Sequence, residues 1–197
     1  MKSHGADHAL RLDGPSGLLY PTAMANFYDP FSSHQTADPR PRRPDVSEIL
    51  PTLLVGEYPR VEDIVWLREE LGVSAVFSLQ DAEDLAAKGL NLPALVTECR
   101  HHRIEYRRTP VADFDCDSLD QALPAALEAL HTLTGNGHRV LLHCNAGCNR
   151  APTVAIAYLH AHRGMTLLEA RDFVKDRRSC GPYMEILYKH FGRPSDE

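Results

Sequence analysis

The stretch Arg139–Gly164, RVLLHCNAGCNRAPTVAIAYLHAHRG, decides the reading of this chain. It opens with a short apolar run that ends in a histidine and a cysteine, and closes with a helical pattern from about Arg150 to Gly164. Pro152 falls in the first helical turn, where a missing N–H costs nothing, and Gly164 suits the left-handed residue that stops a helix. Between strand and helix lie Asn145–Asn149, with a glycine at position 147. A strand, a tight loop and a helix in that order gather successive backbone N–H groups around one point, with the partial positive charge of the helix behind them.

Cys144 stands at the floor of that cradle, where donors and dipole favour thiolate over thiol and so supply a nucleophile at neutral pH. Arg150 closes the ring. Its planar fork can hold two oxygens of a phosphoryl group and stabilise the charge that develops in an in-line displacement. Asn145, Ala146, Gly147, Cys148 and Asn149 are the candidate residues around the bound group. A bare cysteine-and-arginine spacing also admits a plain alternative, a buried strand-end thiol and a surface arginine. Here the strand, His143, Gly147 and the downstream helix all fall where the chemistry needs them.

Outward from this stretch the texture is α/β. Ile49–Gly56 reads as a strand, Val61–Gly72 as a helix and Val73–Gln80 as a strand. A helical stretch around Leu92–Arg103 precedes a strand at Ile104–Val111, an aspartate-rich loop ADFDCD, and a helix that stops near Gly135–Gly137. Thr166 and Glu169 form a capping box that opens a helix over LLEARDFVKDRR. The expected fold is a central, mostly parallel sheet flanked by helices. Residues 1–45 hold six prolines with little periodicity and read as an irregular arm, although Asn26–Phe31 (NFYDPF) could dock.

With 197 residues and 43% hydrophobic composition, the chain suits one domain with an extra segment. A net charge of −6 offers no general attraction for nucleic acid or an acidic membrane. No apolar window is long enough to span a bilayer, and the N-terminus lacks an apolar signal region. Five irregularly spaced cysteines suit free thiols in a reducing compartment, so a cytoplasmic protein is expected. The histidines lack ligand spacing, and neither metal nor cofactor is expected.

HCNAGCNRAPT resembles the signature loop of the cysteine-dependent dual-specificity phosphatases, within the protein tyrosine phosphatase superfamily. The resemblance covers roughly Val46–His190 and implies a phosphatase domain over residues 46–191, with a short tail at 192–197. CNAGCNRAP, VADFDCDSLDQALP and RRSCGP each resemble segments of the glucan phosphatases, the laforin-like and plant starch-dephosphorylating enzymes. The wider family carries Ser or Thr directly after the loop arginine, whereas this chain has Ala151, as the plant enzymes do. A hydroxyl that helps the thiolate leave is therefore missing. The relatives' carbohydrate-binding modules have no room on either flank here, so glucan binding would come from the domain itself.

Expelling an alkoxide needs a general acid, which later serves as base for water. The loop offers Asp113, Asp115 and Asp117. Asp113 is favoured because it lies 31 residues before Cys144, which resembles the family's spacing; Asp115 is the reserve, and Asp117 with Ser118 reads as the head of the next helix. Phe114 cannot be core if Asp113 faces the site, and the resemblance implies that it contacts glucan. On a helical wheel Trp66 falls opposite Val61, Ile64, Val65, Leu67 and Leu71, so it should be exposed, as a sugar platform or as a dock for the arm. Tyr183 is a weaker third aromatic. Cys148 either packs or traps an oxidised Cys144 as a disulfide, and His143 hydrogen-bonds the loop rather than carrying protons.

The expected function is hydrolysis of phosphate monoesters through a phosphocysteine, on a phosphorylated α-glucan. A dual-specificity protein phosphatase is the first alternative. A lipid phosphatase is disfavoured because the loop holds no lysine. A binding-only pseudophosphatase is opposed by intact Cys144, Arg150 and Asp113.

Overall fold

The apolar run Val140–His143 is a strand buried along its whole length, as befits the middle of a parallel sheet covered on both faces. The computed structural model describes residues 42–193; the arm with its Asn26–Phe31 stretch and residues 194–197 lie outside them. In chain order come β1 (Val46–Leu50), β2 (Leu53–Gly56), a 3₁₀ turn (Val61–Asp63) running into α1 (Ile64–Glu69), β3 (Ala75–Ser78), α2 (Ala82–Ala87), α3 (Leu92–His101), β4 (Glu105–Arg108), α4 (Cys116–Gly135), β5 (Val140–His143), α5 (Arg150–Arg163), α6 (Leu167–Lys175) and α7 (Met184–Phe191). The sheet order is β1-β2-β5-β3-β4. β1 alone is antiparallel to its neighbour. The C-terminal ends of the four parallel strands therefore share one edge, and the Val46↔Gly56 pairing brings the start of β1 to that edge as well.

Successive strand side chains point to opposite faces, and the core divides accordingly. Leu53, Val55, Ala75, Phe77, Val140 and Leu142 pack with α4, α5 and α6 through residues such as Leu123, Leu130, Ile156 and Leu167. Leu54, Val76 and Leu141 pack on the other side against Ile64, Leu67, Leu95 and Cys99 of α1 and α3. The first ten residues of α5, Arg150–Leu159, are all buried. Gly164 follows it with φ 72°, and the capping box of Thr166 and Glu169 opens α6.

Two sequence expectations change, and one helix goes unread in the sequence. Ile49–Gly56 is two strands, because Pro51 and Thr52 turn the chain and pair Leu50 with Leu53; proline has no N–H for the ladder. A short helix, α2, occupies Ala82–Ala87, started by a capping box of Asp81 and Asp84. Trp66 is half-buried, packed on the α1–α3 side of the core, with the Arg43 guanidinium 5.7 Å from its ring centre. Val65 is the exposed apolar residue of that helix, at 37%. The wheel failed because Val61–Asp63 is 3₁₀, and its tighter turn rotates the following side chains off a 100° count.

Candidate active site

β5 ends at the sheet edge where β2, β3 and β4 also end, and Cys144 follows it with 2% exposure. Asn145–Asn149 turn from the strand into α5, whose first residue is Arg150. The turn needs Gly147. Its φ is +65°, and a Cβ there would lie 2.5 Å from the Gly56 carbonyl and 2.7 Å from Arg178 Nη2, so a larger residue would clash as well as strain the backbone.

Arg150 is 1% exposed. Its Nη1 donates to Asp84 Oδ2 at 2.6 Å and to the Val111 carbonyl at 2.7 Å. Nη2 stands 3.0 Å from Asp113 Oδ2 in an ion pair, but out of hydrogen-bond alignment, so Nε and Nη2 are buried donors without a hydrogen-bond partner. Burial opposes the charge, yet Asp84, Cys144 and Asp113 outweigh it and hold the guanidinium above its ordinary pKa. Unpaired buried donors are costly, and a ligand that brings acceptor oxygens would satisfy them.

Asn145 knits the carboxylates together. Its Nδ2 donates to Asp84 Oδ1 at 2.5 Å and to Asp113 Oδ2 at 3.0 Å, while its Oδ1 accepts from Gln80 Nε2 at 2.7 Å. His143 is fully buried, and its Nδ1 donates to the Cys144 carbonyl at 3.1 Å. Burial, helped by the charge of Arg150, pulls its pKa down to about 4, so the imidazole is neutral near pH 7.

Asp113 keeps 29% of its side chain exposed, within reach of solvent and of a leaving group. Asp115 is occupied elsewhere: it caps α4 by accepting from Ser118 N at 3.0 Å. The helix head expected at Asp117 and Ser118 therefore lies two residues earlier, and the Ser118 hydroxyl instead accepts from Ala112 N at 2.9 Å, bracing the loop from behind. Asp117 is exposed on the first turn of α4. Phe114 is 82% exposed with φ 57°, a conformation costly for a bulky residue and a marker of function when the surroundings enforce it.

Beside this loop a mostly apolar groove of about 540 Å³ runs between α4 and α7, lined by Cys116, Asp120, Tyr183, Met184, Ile186 and Lys189 among others. Tyr183 joins the groove to the site: partial burial raises its phenol pKa, and Cys116, Asp113 and Cys144 push it the same way. Cys148 is half-buried, with its thiol on the Ala146 carbonyl at 3.5 Å. Ala151 is fully buried in the core. Trp66 lies on the α1–α3 side of the sheet, away from α4 and α7. Sequence reasoning missed Asp84, Gln80 and Arg178, all at most 6% exposed. Asp84 carried one readable signal, its capping box with Asp81.

The profile of the dual specificity phosphatase catalytic domain matches residues 55–189. The chain belongs to the dual-specificity phosphatase family. It carries that family's catalytic domain. It is 31% identical over 141 residues to the amyloplastic phosphoglucan phosphatase DSP4 of Castanea sativa, across 71% of this chain and 38% of that protein. It is 31% identical over 164 residues to laforin of Mus musculus, across 78% of this chain and 48% of that protein. Identity to human dual specificity protein phosphatase 2 is also 31%, over 66% of this chain and 37% of that protein. The chain thus spans less than half the length of these relatives. Among solved structures, Tk-PTP in its active form superposes with a TM-score of 0.63 at 25% identity, covering 76% of this chain and 97% of that one. Among the described residues no helix is long and apolar enough to cross a membrane.

Proposed function

We propose that the chain hydrolyses phosphate monoesters of an α-glucan through a phosphocysteine. The reaction is supported above all by the buried, unpartnered Nε and Nη2 of Arg150 beside Cys144. A substrate phosphoryl group enters the loop, and its oxygens take these two donors and the loop N–H groups. The contact of Nη2 with Asp113 is exchanged for phosphate. The Cys144 thiolate attacks phosphorus in line, the P–O bond to the sugar breaks, and Asp113 gives its proton to the departing oxygen. A water then attacks the phosphocysteine, Asp113 takes its proton, and inorganic phosphate leaves with the thiolate restored. His143, neutral and turned to the loop backbone, carries no proton in this scheme.

The substrate reading rests on Phe114. An aromatic ring held out at 82% exposure, in a strained backbone conformation directly after the proposed acid, offers a face on which a sugar can stack. Tyr183 and the groove beyond it supply a second wall. Trp66, half-buried on the α1–α3 side of the sheet, has no part in this platform. The 31% relative named a phosphoglucan phosphatase agrees with the reading. The equally similar dual specificity protein phosphatase 2 favours a second one, a phosphoprotein substrate whose side chains occupy the groove. The five free thiols suit a reducing compartment, and we place the protein in the cytoplasm.

The test compares phosphate release from solubilised phosphoglucan, from phosphopeptides and from a small aryl phosphate. Faster release from the glucan than from the peptides is expected. Ready turnover of the peptides with inert amylopectin and glycogen would promote the protein phosphatase.

A further inference from the structure

We infer that Arg178 is a positioning residue that aims the N–H groups of the phosphate-binding loop. Its guanidinium is 5% exposed and sits behind the loop, on the side away from solvent. Nε donates to the Gly147 carbonyl at 2.6 Å and Nη2 to the Ala146 carbonyl at 2.9 Å. Nη1 anchors the other side, donating to Ser47 Oγ at 3.2 Å and the Asp45 carbonyl at 3.4 Å, with Asp45 Oδ2 at 3.6 Å. One planar group therefore ties the loop to the start of β1.

The chemistry follows from the peptide unit. Its C=O and N–H lie in one plane and point in opposite directions. With the carbonyls of Ala146 and Gly147 held on Arg178, the N–H groups of Gly147 and Cys148 face the other way, into the hollow of the loop. Neither donates to any of the described residues. They are ready for an anion. Charge on the carbonyl side polarises each peptide and strengthens the opposite N–H as a donor. Gly147 completes the arrangement, since any Cβ there would strike Arg178 Nη2 at 2.7 Å. A lysine could not replace the fork, because a point charge cannot cover two adjacent carbonyls and two anchors at once. Arg178 touches no reacting atom in this scheme; it acts through the loop. The inference rests on the reading of that loop as the phosphate site.

The experiment measures orthovanadate binding by calorimetry, which requires no turnover, alongside kcat and KM on a small aryl phosphate. Arg178→Ala should weaken vanadate and lower kcat/KM by a similar factor, about 10²-fold, the usual cost of losing a preset oxyanion donor. Millimolar guanidinium, filling the vacated space, should recover a good part of both. Should the alanine variant not fold, Arg178→Lys serves instead, with both losses expected at about tenfold or more. Vanadate affinity per folded molecule unchanged in whichever variant folds, with activity falling only as the folded fraction falls, overturns the inference. A wild-type chain that binds vanadate but hydrolyses nothing would sink the proposed reaction while leaving the Arg178 comparison readable.

Discussion

Removing Asp84 should loosen the site and the fold together. Its carboxylate, 6% exposed, accepts from Arg150 Nη1 at 2.6 Å, Asn145 Nδ2 at 2.5 Å and Asp81 N at 3.2 Å. Breaking a buried ion pair from one side costs about 3–5 kcal/mol, because the remaining charge is left without a partner. The lower end applies here, since Val111 still holds Nη1 and Asp113 stands 3.0 Å from Nη2. A loss of about 3 kcal/mol corresponds to a fall in Tm of roughly 6–12 °C for a domain of this size. Freed of Asp84, Arg150 should swing toward Asp113 and misplace the phosphoryl group, lowering kcat/KM by about 10²-fold. Urea unfolding and aryl phosphate kinetics of Asp84→Ala read both effects. The double variant Asp84→Ala/Arg150→Met removes the stranded charge and should be more stable than Asp84→Ala alone. The reasoning fails if Asp84→Ala melts within about 2 °C of wild type, or if the double variant is no more stable than the single one.

Cys144→Ser should abolish turnover while still binding vanadate, and Arg150→Lys should lose most activity; appreciable hydrolysis by the serine variant would exclude the covalent route. Asp113→Asn should cost about 10²–10⁴-fold on substrates with poor leaving groups and less on aryl phosphates; the same pattern in Asp115→Asn would instead move the acid to the α4 cap. Phe114→Ala should cut phosphoglucan hydrolysis about fivefold, the size of one stacking contact, and leave aryl phosphate turnover alone; equal losses on both substrates would remove the sugar platform. His143, held down to about 4 by burial, binds no proton in the folded state where the unfolded chain does. Its contribution is therefore complete above its unfolded value of about 6.5 and is lost as pH falls toward 4, by up to about 1.4 kcal/mol per pH unit. Urea titrations of wild type and His143→Gln between pH 7 and 5 should diverge in that direction; parallel curves would contradict it.

What the sequence disclosed about the site was local. Cys144, Gly147, Arg150 and Gly164 fall within one strand–loop–helix unit, so their spacing alone carries the geometry. The loop after a strand end narrowed the acid to Asp113, Asp115 and Asp117, and a spacing to Cys144 that resembles the family's favoured Asp113. Asp84 could not, because its partner Arg150 lies 66 residues away and only the β3–β5 pairing brings them together. Arg178 was hidden for the same reason: the pattern of RRSCGP does not say which arginine turns inward. Trp66 misled because a six-residue helix entered through a 3₁₀ turn is too short for a wheel to fix its phase. The β1–β2 turn was obscured because Pro51 and Thr52 interrupt an apolar run without the glycine or asparagine that usually marks a hairpin.

The ten buried residues at the start of α5 bear on the thermodynamics of inhibition. Arg150 is the first link of a helix locked on every side by the core, and the loop before it is strung between that helix and a central strand. Such a site arrives already in its binding shape, so an anion entering it orders little that was loose. Calorimetry of oxyanion binding should accordingly give a small heat-capacity change and an entropy governed by the release of water rather than by chain ordering. Inhibitor gains are then to be sought at the exposed rim formed by Phe114 and the α4–α7 groove, because the preset floor offers no further conformational cost to remove.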